Sequence, residues 1–243
     1  MGVWEWLTDP ASWSGAGGIP TRTLEHVGIS GVAMAIAVAV AVPAGLTIGH
    51  TRRAEFVAVQ TANLGRAIPS FAILSIAFQV VLQLWPTLAF GFVPTVVAMV
   101  FLAVPPILTN TYVGVQQVGR DAIEAARGMG MTGGQVLRRL EMPLAAPLIV
   151  AGCRIAAVQV VATATLAALI AGGGLGRFIV DGFATQDRGE MIGGAILVAL
   201  LAIGTEGAFA LVTRATAPRL ASGGRERPRE RPERALGTDA RSV

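Results

Sequence analysis

Residues 119–143 read GRDAIEAARGMGMTGGQVLRRLEMP, a charged and glycine-punctuated stretch between two long apolar runs. The segment decides the fold because almost everything around it has the composition of a membrane span. A polar insertion of this length between two spans calls for a structure of its own outside the bilayer. Residues 120–129 have helix-forming composition, with Ile123, Ala126 and Met129 at helical spacing on one face. Gly130 and then Thr132-Gly133-Gly134 break that helix, since glycine accepts the positive φ of a sharp reversal. Residues 135–142 form a second helical stretch, and Pro143 stops it before the next span. Ala125 and Ala126 leave a nearly bare surface beside Glu124, shaped to lie in a groove while the carboxylate meets a partner arginine.

Composition agrees with a membrane protein. Of 243 residues 53% are hydrophobic and 14% charged, well below the roughly one quarter charged of soluble domains. Mean hydropathy is +0.63. The sequence pI near 10.8 would point to nucleic acid in a soluble protein. Here the arginines sit in loops and at the chain end, so no nucleic-acid partner is expected. Cys153, the single cysteine, lies in an apolar run and supports neither a disulfide framework nor a metal cluster. The first residues lack the basic start and apolar core of a cleavable signal peptide.

A bilayer core of about 30 Å takes about 20 residues of helix. Five segments meet that need, at residues 26–49, 64–84, 92–113, 147–171 and 191–213. Their runs are continuous rather than alternating, which excludes a β-barrel. Prolines inside them are tolerated where neighbouring helices satisfy freed carbonyls. Small residues (Gly152, Ala156 and Ala157; Gly193, Gly194 and Ala195) permit close helix packing. Arginines set the orientation. Arg52 and Arg53 follow the first span; Arg120, Arg127, Arg138 and Arg139 follow the third; Arg214, Arg219 and six more end the chain. The N-terminus is therefore expected outside and the C-terminus in the cytoplasm, with Trp4, Trp6, Trp13 and Trp85 as interfacial anchors on the outer side. Residues 54–63 read as a cytoplasmic or interfacial lead-in, with Arg66 snorkelling. Residues 222–243 have the composition of a disordered tail, solvated or touching anionic lipid.

Glu124-Ala125-Ala126, three residues, Gly130, nine residues, then Leu140-x-Met142-Pro143 resembles the EAA loop of ATP-binding-cassette importer permeases. The family pattern ends Ile-x-Leu-Pro; Leu140 and Met142 keep its apolar character. The run EAARGMGMT, residues 161–182 (VATATLAALIAGGGLGRFIVDG) and Ile68-Pro69-Ser70 resemble the glycine betaine, carnitine and choline importers of that family. The resemblance covers roughly residues 20–215 and implies an all-α, MetI-like type I permease of five helices in a bacterial inner membrane. It implies an extracytoplasmic segment (1–22), a transmembrane domain (23–215, coupling loop 119–143) and an Arg-rich tail (216–243). Glu124, Ala125, Ala126, Gly130, Leu140 and Pro143 are thereby assigned to coupling with a cytoplasmic ATPase subunit. A separate extracytoplasmic binding protein and a second permease, identical or homologous, are the other implied partners. The chain is expected to catalyse nothing and to bind no cofactor or metal, with ATP on the partner subunit. An amino-acid or methionine-type importer shares the five-span plan and is the alternative. An ion-driven secondary transporter fits less well, because it calls for an inverted repeat and mid-membrane acids.

Two ionisable residues fall inside spans, where such groups are functional candidates. Arg154 lies seven residues into the fourth span and Glu206 eight residues before Arg214, each about 10–12 Å deep on the same side at 1.5 Å per residue. They are expected to pair, within a subunit or across a permease dimer. Gly173, Gly174 and Gly176 follow the fourth span in GGGLG. That loop lacks the Lys-Ser/Thr of a phosphate loop and reads as a tight turn, a candidate for an outer gate. Gln79, Gln83, Asn110, Thr111 and Tyr112 either line a polar path or hydrogen-bond between helices. Aromatics make up only 6% of the chain, too few for a rich aromatic cage, so tight cargo recognition is assigned to the binding protein.

Overall fold

The computed structural model describes residues 2–53, 56, 60, 63 and 68–216, and among these all regular structure is helical. The lead-in at 54–63 (apart from Phe56, Gln60 and Asn63), Arg66, the start of the second span and the tail lie outside the described residues. The elements are α1 (Val3–Thr8), α2 (Ile19–Thr51), α3 (Ser70–Leu84), α4 (Phe92–Gln116), α5 (Arg120–Gly128), α6 (Gly133–Val136), α7 (Met142–Thr163), α8 (Gly176–Thr185) and α9 (Arg188–Thr216). Four helical stretches are long and apolar enough to cross a membrane: α2, α4, the path Gly133–Ile170 and α9. The helix α3 has 15 residues, about 22 Å, so the described part of the second span falls short of a full crossing.

Packing centres on α4. Just over half of its most apolar window is buried, against 6% for α9. Ile29, Ala33, Ala37 and Ala41 recur every four residues and form one buried stripe of α2. That stripe joins Met99, Ala103 and Ile107 of α4 and Ala156 and Val160 of α7 in one cluster. Alanines and glycines bring the backbones together, as membrane helices require in the absence of a hydrophobic drive between them. A methyl placed on Gly45 would sit 2.7 Å from Thr111 Cβ, and one on Gly49 would sit 2.6 Å from Val115 Cβ. Across the other face of α4, a methyl on Gly152 would meet Asn110 Cβ at 2.7 Å.

Three sequence expectations are corrected here. Trp6 is no interfacial anchor: it is 6% exposed, packs edge-on against Phe178 at 5.0 Å, and its ring occupies the space that a side chain on Gly193 would take. The Thr111 hydroxyl and an Asn110 N–H are spent within α4 rather than on a neighbouring helix, each donating four residues back, at Ile107 O (2.7 Å) and Pro106 O (2.8 Å). The fourth span is also not one α-helix to residue 171. After Thr163 it tightens into a 3₁₀ run, Ala164–Ile170, closed by Ala171 in the left-handed region.

Candidate functional site

The polar hairpin begins with α5, whose charges suit its dipole, with Asp121 in the first turn and Arg127 in the last. Gly130 reverses the chain at φ +85°, and Met131 N–H returns to Ala126 O at 3.1 Å. This is the glycine-dependent helix ending foreseen from the sequence. Thr132-Gly133-Gly134, by contrast, does not break a helix. Thr132 is the N-cap of α6, and Gln135 Oε1 accepts its N–H at 2.8 Å, as the Thr-x-x-Gln spacing of a capping box allows. Pro143 likewise does not stop the helix. It falls in the first turn of α7, after a π turn at Leu137–Glu141 in which Met142 N–H reaches Leu137 O. Proline removes a donor and crowds the carbonyl four residues back; the wider π turn absorbs both effects. The helical path from Gly133 to Ile170 is therefore continuous.

The hairpin's exposed face differs in detail from the expected one. Glu124 and Ala125 are exposed, but Ala126 is buried at 4%, so only one alanine of the pair is bare surface. Met129 lies outside the helical phase because α5 ends at Gly128, and it protrudes at 77% exposure. Leu140, half-buried, and Pro143, exposed, sit where the hairpin joins α7. A cleft of about 290 Å³ separates α5 from the end of α2, with Arg52, Arg120, Glu124 and Arg127 on its walls. At its base Glu141, 3% exposed, accepts a 2.5 Å hydrogen bond from His50 Nδ1. A buried carboxylate needs such a partner.

Arg154 of α7 and Glu206 of α9 form an ion pair within the chain. Both side chains remain about two-fifths exposed, so the contact is screened wherever water reaches it.

At the opposite end of the bundle the glycine loop is held by the start of α2. Glu25 Oε2 accepts from Gly174 N–H at 2.8 Å and from Arg22 Nη1 at 2.9 Å. His26, 1% exposed, has Nδ1 3.2 Å from Leu175 N–H and Nε2 2.9 Å from Val161 O. One tautomer serves both contacts: Nδ1 accepts and Nε2–H donates. Gly176 is required by space, since a side-chain carbon would collide with the Thr165 carbonyl, and one on Gly173 would displace the Glu25 carboxylate. Gly174 is required by its φ of +91°. Helix α9 then starts after Asp187, whose carboxylate is held below its usual range by the N–H groups of Glu190 and Gly189 (3.2 and 2.8 Å). Sequence reasoning passed over Glu25, His26, His50 and Glu141 as contact residues. One signal was present: the chain's two histidines stand near the two ends of the first span.

Residues 31–221 match the family described as the binding-protein-dependent transport system inner membrane component. The chain belongs to that family. It is 39% identical over 197 residues to the choline transport system permease protein OpuBB of Bacillus subtilis (strain 168), covering 81% of this chain and 88% of that protein. It is 38% identical over 205 residues to the glycine betaine/carnitine/choline transport system permease protein OpuCB of the same organism, covering 84% and 91%. The carnitine transport permease protein OpuCB of Listeria monocytogenes is 39% identical over 190 residues, covering 78% and 83%. Among solved structures, the MetNI methionine ABC transporter in inward-facing conformations aligns at TM-score 0.72 and 21% identity, covering 82% of this chain and 97% of that one. This binding-protein-dependent permease therefore has the all-helical, MetI-like fold.

Proposed function

We propose that this permease is the membrane subunit of an ATP-driven importer for quaternary-ammonium osmoprotectants such as glycine betaine, carnitine and choline, in a bacterial inner membrane. One observation carries the mechanism: the second arm of the polar hairpin runs without a break into a membrane-length helix, Gly133–Ile170. A displacement of α6 therefore reaches the bilayer through hydrogen-bonded helix, and α5 acts on α6 across the tight Gly130 turn, closed by the Met131 N–H on Ala126 O. Glu124, Ala125 and Met129 form the surface that an ATPase subunit would grip, and Gly130 sets the angle between the two arms. The cargo assignment is supported by the names and the coverage of the relatives above.

In this reading the fold crosses the membrane five times, with the hairpin in the cytoplasm and the glycine loop outside. The ATPase hydrolyses ATP, a binding protein delivers cargo to the glycine-loop end, and a second permease completes the path. Alternating access follows when closure of the ATPase pair moves the docked hairpin and tilts the helices. The test is uptake of radiolabelled choline or glycine betaine into vesicles bearing the whole complex. Glu124→Arg and Gly130→Asp are expected to abolish ATP-driven uptake and weaken ATPase association. Uptake at the unsubstituted rate in both would refute the reading.

A further inference from the structure

We infer that α2 is a push rod pinned by a histidine at each end, carrying hairpin movement to the glycine loop alongside α7. The inference rests on the importer reading above and adds residues to it. At the hairpin end the pin is His50 Nδ1 on Glu141 Oε2, 2.5 Å apart. Glu141 belongs to the π turn, the point where the hairpin becomes α7, so any rotation of α6 about that turn pulls on His50. At the other end His26 grips the carbonyl of Val161 in the last turn of α7 and the N–H of Leu175, and Glu25 grips Gly174. The two pins are 24 residues apart on one helix, about 36 Å at 1.5 Å per residue. That exceeds the ~30 Å hydrocarbon core, so the rod joins structures on opposite sides of the bilayer.

Between the pins α2 is braced against α4 just beyond its internal proline. Pro43 removes a helix hydrogen bond, and directly beyond it Gly45 and Gly49 press the helix onto Thr111 and Val115 of α4. The pins also differ in kind. The His26 pin is buried and reaches backbone groups, so it holds whatever the neighbouring side chains do. The His50 pin is a single side-chain pair at the lip of the 290 Å³ cleft, faced by Arg52 just beyond α2 and by Arg120, Glu124 and Arg127 of α5, and it ties α2 to the moving hairpin. His50 and Glu141 are thus positioning residues for transport: they touch neither cargo nor nucleotide.

The test uses the whole complex in nanodiscs, with Cys153→Ser and with Phe90→Cys as an exposed reporter beside Gly91, whose N–H donates to Ile170 O. Labelling by a membrane-impermeant maleimide is compared between the nucleotide-free and vanadate-trapped states, alongside uptake per ATP. In His50→Gln and Glu141→Gln, ATP hydrolysis is expected to continue while uptake per ATP falls about 2- to 30-fold and the nucleotide-dependent change in labelling shrinks with it. The exchanged pair, His50→Glu with Glu141→His, is expected to restore both, which a purely structural role for either residue does not predict. If the single variants keep uptake per ATP and the labelling change at the starting values, the push rod is wrong and the importer reading stands. An exchanged pair that assembles but stays uncoupled also overturns it. No ATP-driven uptake in the unsubstituted complex overturns the importer reading and this inference together.

Discussion

The seam between α2 and α4 makes a prediction in which one substitution changes sign along a single helix. Gly45 and Gly49 lie one turn apart and face Thr111 and Val115, with the added methyl 2.7 and 2.6 Å from the facing Cβ atoms. Carbon atoms pack at about 3.5–4.0 Å, so either alanine must push the helices apart by about 1 Å. Overpacking of this kind costs about 1–3 kcal/mol. Gly28 lies on the same helix with nothing within 4 Å of its added methyl. Alanine there should gain about 0.5–1 kcal/mol, the usual penalty of glycine inside a helix. The expected order of stability is thus Gly28→Ala above wild type, and wild type above Gly49→Ala and Gly45→Ala. The double variant should lose less than the sum of the two singles, because the first methyl already opens the seam that the second needs. Equilibrium unfolding in mixed micelles measures all four. A Gly49→Ala protein as stable as Gly28→Ala would refute the close seam, and additive losses would refute the shared separation.

Two further perturbations test other contacts. Arg154→Gln and Glu206→Gln each leave one unpaired charge at membrane depth and should each cost up to about 2.5–3.5 kcal/mol; the double variant should recover most of that in the same unfolding assay, and a double-variant loss equal to the sum of the two single losses would show that the pair contributes nothing. Trp6→Ala empties the space between Phe178 and Gly193 and should cost about 3–5 kcal/mol, whereas Trp4→Ala, at a side chain 77% exposed, should leave thermal unfolding nearly unchanged.

What the sequence could show followed the range of the physics involved. Hydropathy and helix periodicity are local averages, so the long helices and the polar hairpin were legible, as was the reversal at Gly130. The failures came where a contact outweighs a local rule. Proline is a poor helix residue in isolation, yet Pro143 continues one because the π turn before it makes room. Thr132-Gly133-Gly134 looks like a breaker, but Thr132 caps the next helix. Met129 follows the apolar period of α5 and still points outward, because that helix ends one residue earlier. Trp6 shares its composition signal with Trp4, and only the glycine opposite it separates a core residue from an anchor. The histidine contacts were beyond a local reading: His26 meets Leu175, 149 residues away, and His50 meets Glu141, 91 residues away.

Burial also orders the helices by role. The helix α4 is wrapped by α2, α3 and α7, while α9 touches the bundle through α7, α8 and α1 and leaves most of its surface uncovered. On that uncovered side the Arg154–Glu206 pair remains two-fifths exposed. Exposed leucine and isoleucine at Leu200, Ile203 and Leu211 suit lipid; a charged pair at the same depth does not, because hydrocarbon offers it no hydrogen bonds. The surface of α9 therefore divides into an apolar sector fit for lipid and a sector around Glu206 fit for protein or water. In the proposed importer, a second permease would supply the protein for that sector. The glycines of α9 follow the same division: Gly193 and Gly194 press against Trp6 and Phe178, whereas Gly204 and Gly207 face open space.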